Sequence, residues 1–163
     1  MKWNQMIPEF DVFCLAETLH FYVDLLGFEV KYDRKEDKFA FLQLEDVQIM
    51  VQEINKKNNK WETGKLEYPL GRGINFQIDV KNIDEIYEKL SQNEYPIFVP
   101  MEEHYYRKDD ELLGEKEFLV LDPNGYCLRF SNDLLKMGTG TLLVSTKKIG
   151  NARKKEFKSV PVR

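Results

Sequence analysis

The sequence predicts an α+β fold built from two βαβββ modules, and three observations support it. Short runs alternate apolar and polar residues between turn signals, two stretches repeat apolar residues at helical spacing, and the order strand, helix, three strands occurs twice within 163 residues. A duplication of that kind, each copy ending in a hairpin, is more specific than any one element.

In the first module, about residues 6–54, residues 7–12 alternate like a strand. Leu15, Leu19, Tyr22 and Leu26 then recur at helical spacing up to Gly27, a natural left-handed terminator. Residues 28–32 read as a short strand and 33–38 as a polar turn. Phe39–Leu44 and Val47–Glu53 form a hairpin across Glu45-Asp46.

The second module, about residues 73–134, opens with a strand over 73–80. Asn82-Ile-Asp-Glu85 has the form of a capping box, and the helix it starts carries Ile83, Ile86, Tyr87 and Leu90 on one face. Pro96 closes that stretch, 97–99 is a short strand, and 100–114 reads as a long connection. A hairpin over 115–130 turns at Asp122-Pro-Asn-Gly125 and completes the module.

A hydrophobic content of 42% in this length suffices for one core. No apolar run approaches the roughly 18 residues that span a bilayer, and no signal-type stretch follows the start, so a cytoplasmic protein without a membrane partner is expected. Cys14 and Cys127 lack short metal spacing and read as small hydrophobes. From Lys136 onward there are eight basic residues and one acid, Glu156, leaving 16 basic against 27 acidic residues in 1–135, net −11. Such a body disfavours nucleic acid and favours cationic ligands. Residues 136–163 are expected to form a basic, poorly ordered tail, with 141–145 able to make a short strand.

The stretch Glu17-Thr-Leu-His-Phe-Tyr-Val-Asp-Leu-Leu-Gly-Phe28 and the turn Asp122-Pro-Asn-Gly125, in this element order, resemble the glyoxalase/bleomycin-resistance/extradiol-dioxygenase superfamily. The resemblance covers about residues 6–134 and implies its vicinal-oxygen-chelate fold, a curved mixed sheet around a cleft. Trp61-Glu-Thr-Gly, Leu66-Glu-Tyr-Pro, Gly71-Arg-Gly-Ile-Asn-Phe-Gln-Ile and Gly114-Glu-Lys-Glu-Phe look most like bleomycin-resistance proteins.

In the superfamily's metalloenzymes each module supplies one ligand from its first strand and one from its last. Registering the chain on that pattern places Ile7, Met50, Asn75 and Arg129 at those positions. A working site needs histidine nitrogens or carboxylates and an open position. Neither Ile, Met nor Arg supplies these, so no catalytic metal and no cofactor are expected; a shift of one or two residues would bring in Glu9 or Gln77.

Other chemistry finds little support. His20 reads as a surface or packing residue, His104 as a loop residue without a partner of fixed spacing, and no Ser or Cys lies in a nucleophile motif. Gly71-Arg-Gly73 lacks the rest of a phosphate loop.

Loop aromatics and acids remain. Trp61 in the linker and Tyr105 and Tyr106 in the connection offer stacking faces, while Glu102, Glu103 and Glu117 offer negative potential. Phe39 and Phe41 share one strand face and would line a floor, and Arg129 would meet a carboxylate or a ligand anion. The resemblance implies a homodimer whose interface clefts sequester a cationic, planar-ringed glycopeptide without catalysis. The alternatives are a metal-dependent lyase, thiol transferase or dioxygenase on the same fold, or a metabolite-binding module.

Overall fold

The computed structural model describes residues 2–55, 62–108 and 111–138, without the side chains of 106–108, 111–113 and 134–138. Alternation turns Phe10 and Val12 inward from β1 (Glu9–Val12). Helix α1 is α-helical over Leu15–Leu19 and continues as a π-helical turn over His20–Leu25. The apolar spacing predicts an α-helix throughout. In the wider turn the Leu26 N–H reaches the Phe21 carbonyl (3.1 Å), and Phe21, Tyr22 and Leu25 are all buried.

β2 (Glu29–Arg34), β3 (Phe39–Leu44) and β4 (Val47–Glu53) complete the first module, in the sheet order β1-β4-β3-β2. β1 runs parallel to β4, as the βαβ start of the module requires, and the other neighbours are antiparallel. The second module repeats the plan with β5 (Asn75–Asp79), α2 (Ile83–Gln92), β6 (Ile97–Lys108), β7 (Glu111–Leu121) and β8 (Cys127–Gly138), ordered β5-β8-β7-β6.

The expected cap of α2 forms. Asn82 accepts the Glu85 N–H at 3.4 Å and donates its side-chain amide to the Glu85 carboxylate at 3.0 Å. Asn82→Ala should therefore cost about 1 kcal/mol. Urea denaturation checks this, and an unchanged midpoint would mean that packing alone sets the start of the helix.

One sequence expectation fails here. Residues 100–108, read as part of a loop, lie in β6, so His104, Tyr105 and Tyr106 are strand residues paired with β7. Glu103 lies opposite Lys116, a pair of opposite charges that favours the ladder, whereas the neighbouring Glu102 lies opposite Glu117. β8 also runs to Gly138, so the first residues of the expected tail belong to the sheet. Trp61 and residues 139–163 lie outside the described residues.

A single apolar cluster unites the modules. Ala40, Leu42, Ile49 and Val51 from one sheet and Ile78, Phe118, Val120, Leu128 and Phe130 from the other pack with Phe21, Tyr22, Leu25, Ile83, Ile86 and Leu90 of the helices. Phe10 of β1 stacks on Tyr126 (centroids 4.3 Å apart) and meets Phe76 of β5 at 4.7 Å, bringing the two edge strands together.

The Asp122-Pro-Asn-Gly125 turn is the joint between modules. The buried Asn124 accepts the Phe13 N–H (2.8 Å), donates to Thr18 Oγ1 (3.0 Å), and offers its carbonyl to the Leu70 N–H (2.9 Å). Tyr22 of α1 donates to Asp122 (3.3 Å), and Tyr126 donates to the Asp11 carbonyl (3.2 Å). A turn legible as a hairpin connection thus also ties the second module to β1 and α1. No helix among the described residues is long and apolar enough to cross a membrane.

Candidate functional site

Strand alternation gives each sheet a second face, turned away from the helices. On the first sheet it carries Glu9, Asp11, Phe39, Phe41, Met50, Tyr32 and Arg34, because Glu9 is level with Met50, Met50 with Phe41, Phe41 with Tyr32, and Arg34 with Phe39. Phe39 and Phe41 are 2% and 0% exposed yet stand outside the common core. Their cover comes from this face. Tyr32 stacks on Phe41 (5.3 Å), the Arg34 guanidinium lies 3.8 Å above Phe39, and Trp3 meets Phe41 edge-on at 4.8 Å. Phe39 and Phe41 share this face, as alternation predicts, and lie beneath a layer of Tyr32, Arg34 and Trp3 that the sequence reading did not anticipate.

Burial, together with the neighbouring Asp11, raises the carboxyl pKa of Glu9, and Arg34 partly offsets this. Burial and Glu62 raise that of Asp11. This strip of β1 therefore holds its negative charge less readily than open carboxylates do.

On the second sheet the corresponding face is polar and closely bonded. Gln77 is level with Arg129, which donates to its side-chain oxygen. Gln77 donates in turn toward Asp79 (3.2 Å), Ser131 (3.3 Å) and Glu115 (3.4 Å). Arg129 Nη1 lies 3.8 Å from Glu117, and its Nε is buried without a hydrogen-bond partner. His104 Nε2 sits between Glu102 (3.2 Å) and Glu117 (3.5 Å).

Of the residues singled out from sequence, Glu102, Glu117 and Arg129 come together here. Glu103 and Tyr105 do not join them. Tyr105 donates to Glu103 (3.1 Å), and both occupy the opposite strand face, where Lys116, level with Glu103, bonds Asp84 of α2. The reason is the period of two: in a loop the four residues 102–105 can converge, whereas in a strand they divide between faces. Tyr106 lies in the same strand and Trp61 is outside the described residues, so neither side chain enters the geometry.

Three of the four positions expected from the metal-ligand pattern lie on the faces turned away from the helices by alternation, Met50 on the first sheet and Asn75 and Arg129 on the second, while Ile7 precedes β1. Met50 is level with Glu9, and Arg129 with Gln77, while Asn75 stands two residues before Gln77 on β5. A guanidinium at one of the four positions opposes a divalent ion electrostatically, and a thioether and an amide are poor partners for one. Among the described residues no three of His, Cys, Asp and Glu are grouped so as to hold a metal. The donor set does not fit the metal of the superfamily's enzymes. His20 is exposed and bonded to Asp24 (2.8 Å), and both cysteines are free and half-buried.

A model of the Glyoxalase/Bleomycin resistance protein/Dioxygenase superfamily matches residues 12–130. A solved member of that superfamily from Vibrio splendidus 12B01 is 35% identical, covering 77% of this chain and 95% of its own, with a TM-score of 0.37. A glyoxalase/bleomycin resistance protein/dioxygenase from Alicyclobacillus acidocaldarius is 20% identical over 81% of this chain and 92% of its own, with a TM-score of 0.56. A virulence protein from Salmonella typhimurium is 15% identical over 82% of this chain and 100% of its own, with a TM-score of 0.57. The last two show the shared fold. No curated protein matches the chain.

Proposed function

The chain belongs to the glyoxalase/bleomycin resistance protein/dioxygenase superfamily, and we propose that within it this protein binds a small molecule and performs no chemistry on it. The observation behind this reading is Arg129. Where the superfamily's enzymes place a metal ligand, its guanidinium is bonded to Gln77 and lies 3.8 Å from Glu117. A fixed cation there opposes a divalent metal ion, the electrophile with which the superfamily's enzymes polarise a substrate oxygen.

The ligand class follows from charge and ring content. An acidic body, net −11 over residues 1–135, attracts cations. The rings of Tyr32 and Trp3 over Phe41 on one face, and Glu102 and Glu117 on the other, suit a cationic ligand with planar rings, as bleomycin is. Binding in excess lowers the free concentration of such a compound without breaking a bond. The protein acts in the cytoplasm as a homodimer, whose two-fold axis gives each chain's linker and clefts a partner surface.

Calorimetric titration with bleomycin, run beside metal analysis of dialysed protein and sedimentation at micromolar concentration, tests this. The expected result is saturable, salt-weakened binding by a metal-free dimer. Stoichiometric zinc, nickel, manganese or iron with an activity lost on chelation overturns the non-catalytic reading, and absence of saturable binding removes the drug class.

A further inference from the structure

The first sheet's open face is covered by the chain itself, and the manner of covering identifies a ligand. Residues 2–4 form a strap across it. Gln48, 4% exposed, accepts the Asn4 N–H at 2.8 Å and donates to the Lys2 carbonyl at 2.8 Å, gripping the backbone on both sides of Trp3. A contact to Gln43 Oε1 (3.1 Å) fixes which way the Gln48 amide faces, and Asn4 Nδ2 holds the Asp46 carbonyl at 2.6 Å. Between these two peptide contacts the Trp3 ring rests edge-on against Phe41 (4.8 Å, 69°) and 6.1 Å from Tyr32, yet stays 52% exposed.

We propose that this floor is a binding subsite for a planar aromatic ring flanked by an amide, and that Trp3 is the chain's own occupant of it. The groups on the sheet read the occupant only by ring face, one N–H and one C=O. None of these features depends on the ring being tethered. A neighbouring cavity of about 670 Å³, lined by Lys2, Asn4, Lys31, Gln43, Asp46 and Gln48, has room for the rest of such a ligand. Its polar walls suit an aromatic amide or an aromatic residue in an extended peptide better than a purely apolar compound.

A tethered occupant competes as though present at about millimolar concentration, so it masks weak external ligands while yielding to strong ones. Trp3 is therefore an internal competitor, and its removal unmasks the subsite. The subsite shares Tyr32 and Phe41 with the face proposed above for a cationic ligand, but it reads an amide through Gln48 rather than a charge through Glu102 and Glu117.

The test is calorimetric titration of N-acetyl-L-tryptophanamide into the full-length protein, Trp3→Ala and Trp3→Ala/Gln48→Ala, with N-acetylglycinamide as the ringless control. Trp3→Ala should bind the tryptophan amide at least about tenfold more tightly than the unaltered protein. Adding Gln48→Ala should weaken that binding about fivefold or more, and the control should not bind. Equal affinity for the unaltered protein and Trp3→Ala, or indifference to Gln48, overturns the proposal. Gln48→Ala also loosens the sheet surface, so a second readout leaves it intact. In Trp61→Phe, Trp3 is the single tryptophan of the two in the chain. Millimolar N-acetyl-L-phenylalaninamide should shift its emission to the red as the strap is displaced, and unchanged emission counts against displacement.

Discussion

Gly125→Ala is expected to destabilise the fold by more than about 3 kcal/mol, from two separable terms. Gly125 has φ +85°, in the left-handed region, which costs a residue with a Cβ about 1–2 kcal/mol. The added Cβ would also stand 2.4 Å from Pro69 Cβ and 2.7 Å from Pro69 Cα. One of those atoms is backbone, so relief requires moving the segment that donates the Leu70 N–H to Asn124 at 2.9 Å. Gly27→Ala isolates the first term, because Gly27 has φ +83° and nothing within 4 Å of its Cβ position. In urea denaturation Gly27→Ala should lose about 1–2 kcal/mol, and Gly125→Ala clearly more. Equal losses would show that the loop gives way freely and that only backbone strain matters.

That contrast bears on what a sequence reveals. The element order, the Asn82 cap and the turn at 122–125 were legible because each depends on local chemistry: periodicity, a side chain that mimics backbone, a residue tolerant of positive φ. The second function of the turn was not legible. Its bonds to Phe13, Thr18 and Leu70 join residues far apart in the chain, and no local signal encodes them. The π-helical turn was hidden for the same reason, since Leu15, Leu19, Tyr22 and Leu26 fit an α-helix as well.

The site divides likewise. Phe39 and Phe41 were placed on one face by alternation, whereas Arg129 was singled out by the family resemblance, which puts a metal ligand at its distance from the turn. Tyr105 and Glu103 were misplaced because a polar run, Glu102-Glu-His-Tyr-Tyr-Arg107, carries no apolar alternation to mark it as β6. Its partners, such as Lys116 opposite Glu103, appear only once β7 is in register. Tyr32 had a usable signal, since it alternates with Arg34 on a strand next to Phe41. Trp3, ahead of the first strand, had none, because its place depends on Gln48 more than forty residues away.

Asp122→Ala should cost about 3–4 kcal/mol at neutral pH, because one buried carboxylate serves four donors. Its oxygens accept the N–H groups of Asn124 (2.8 Å) and Tyr126 (2.8 Å), the Asn124 side chain (3.1 Å) and the Tyr22 hydroxyl (3.3 Å). Alanine leaves all four without that acceptor in a joint where Asp122 and Asn124 are buried. The loss should also depend on pH, with a sign that follows from the environment. Burial holds the Asp122 carboxyl above its ordinary value of 3.8, against the hydrogen bonds that favour its charged form. The native state then binds more protons than the unfolded chain between the two values, so this group's contribution is greatest below 3.8 and declines as pH rises through the raised native value. Alanine has no such proton. The difference between the two proteins should therefore be larger in acid than at neutral pH, even though wild-type stability as a whole follows many other groups. Urea denaturation of both at pH 4 and pH 7 measures it. A difference that grows toward neutral pH would mean that the carboxylate's hydrogen bonds outweigh its burial, and that the joint holds Asp122 as a stabilised anion.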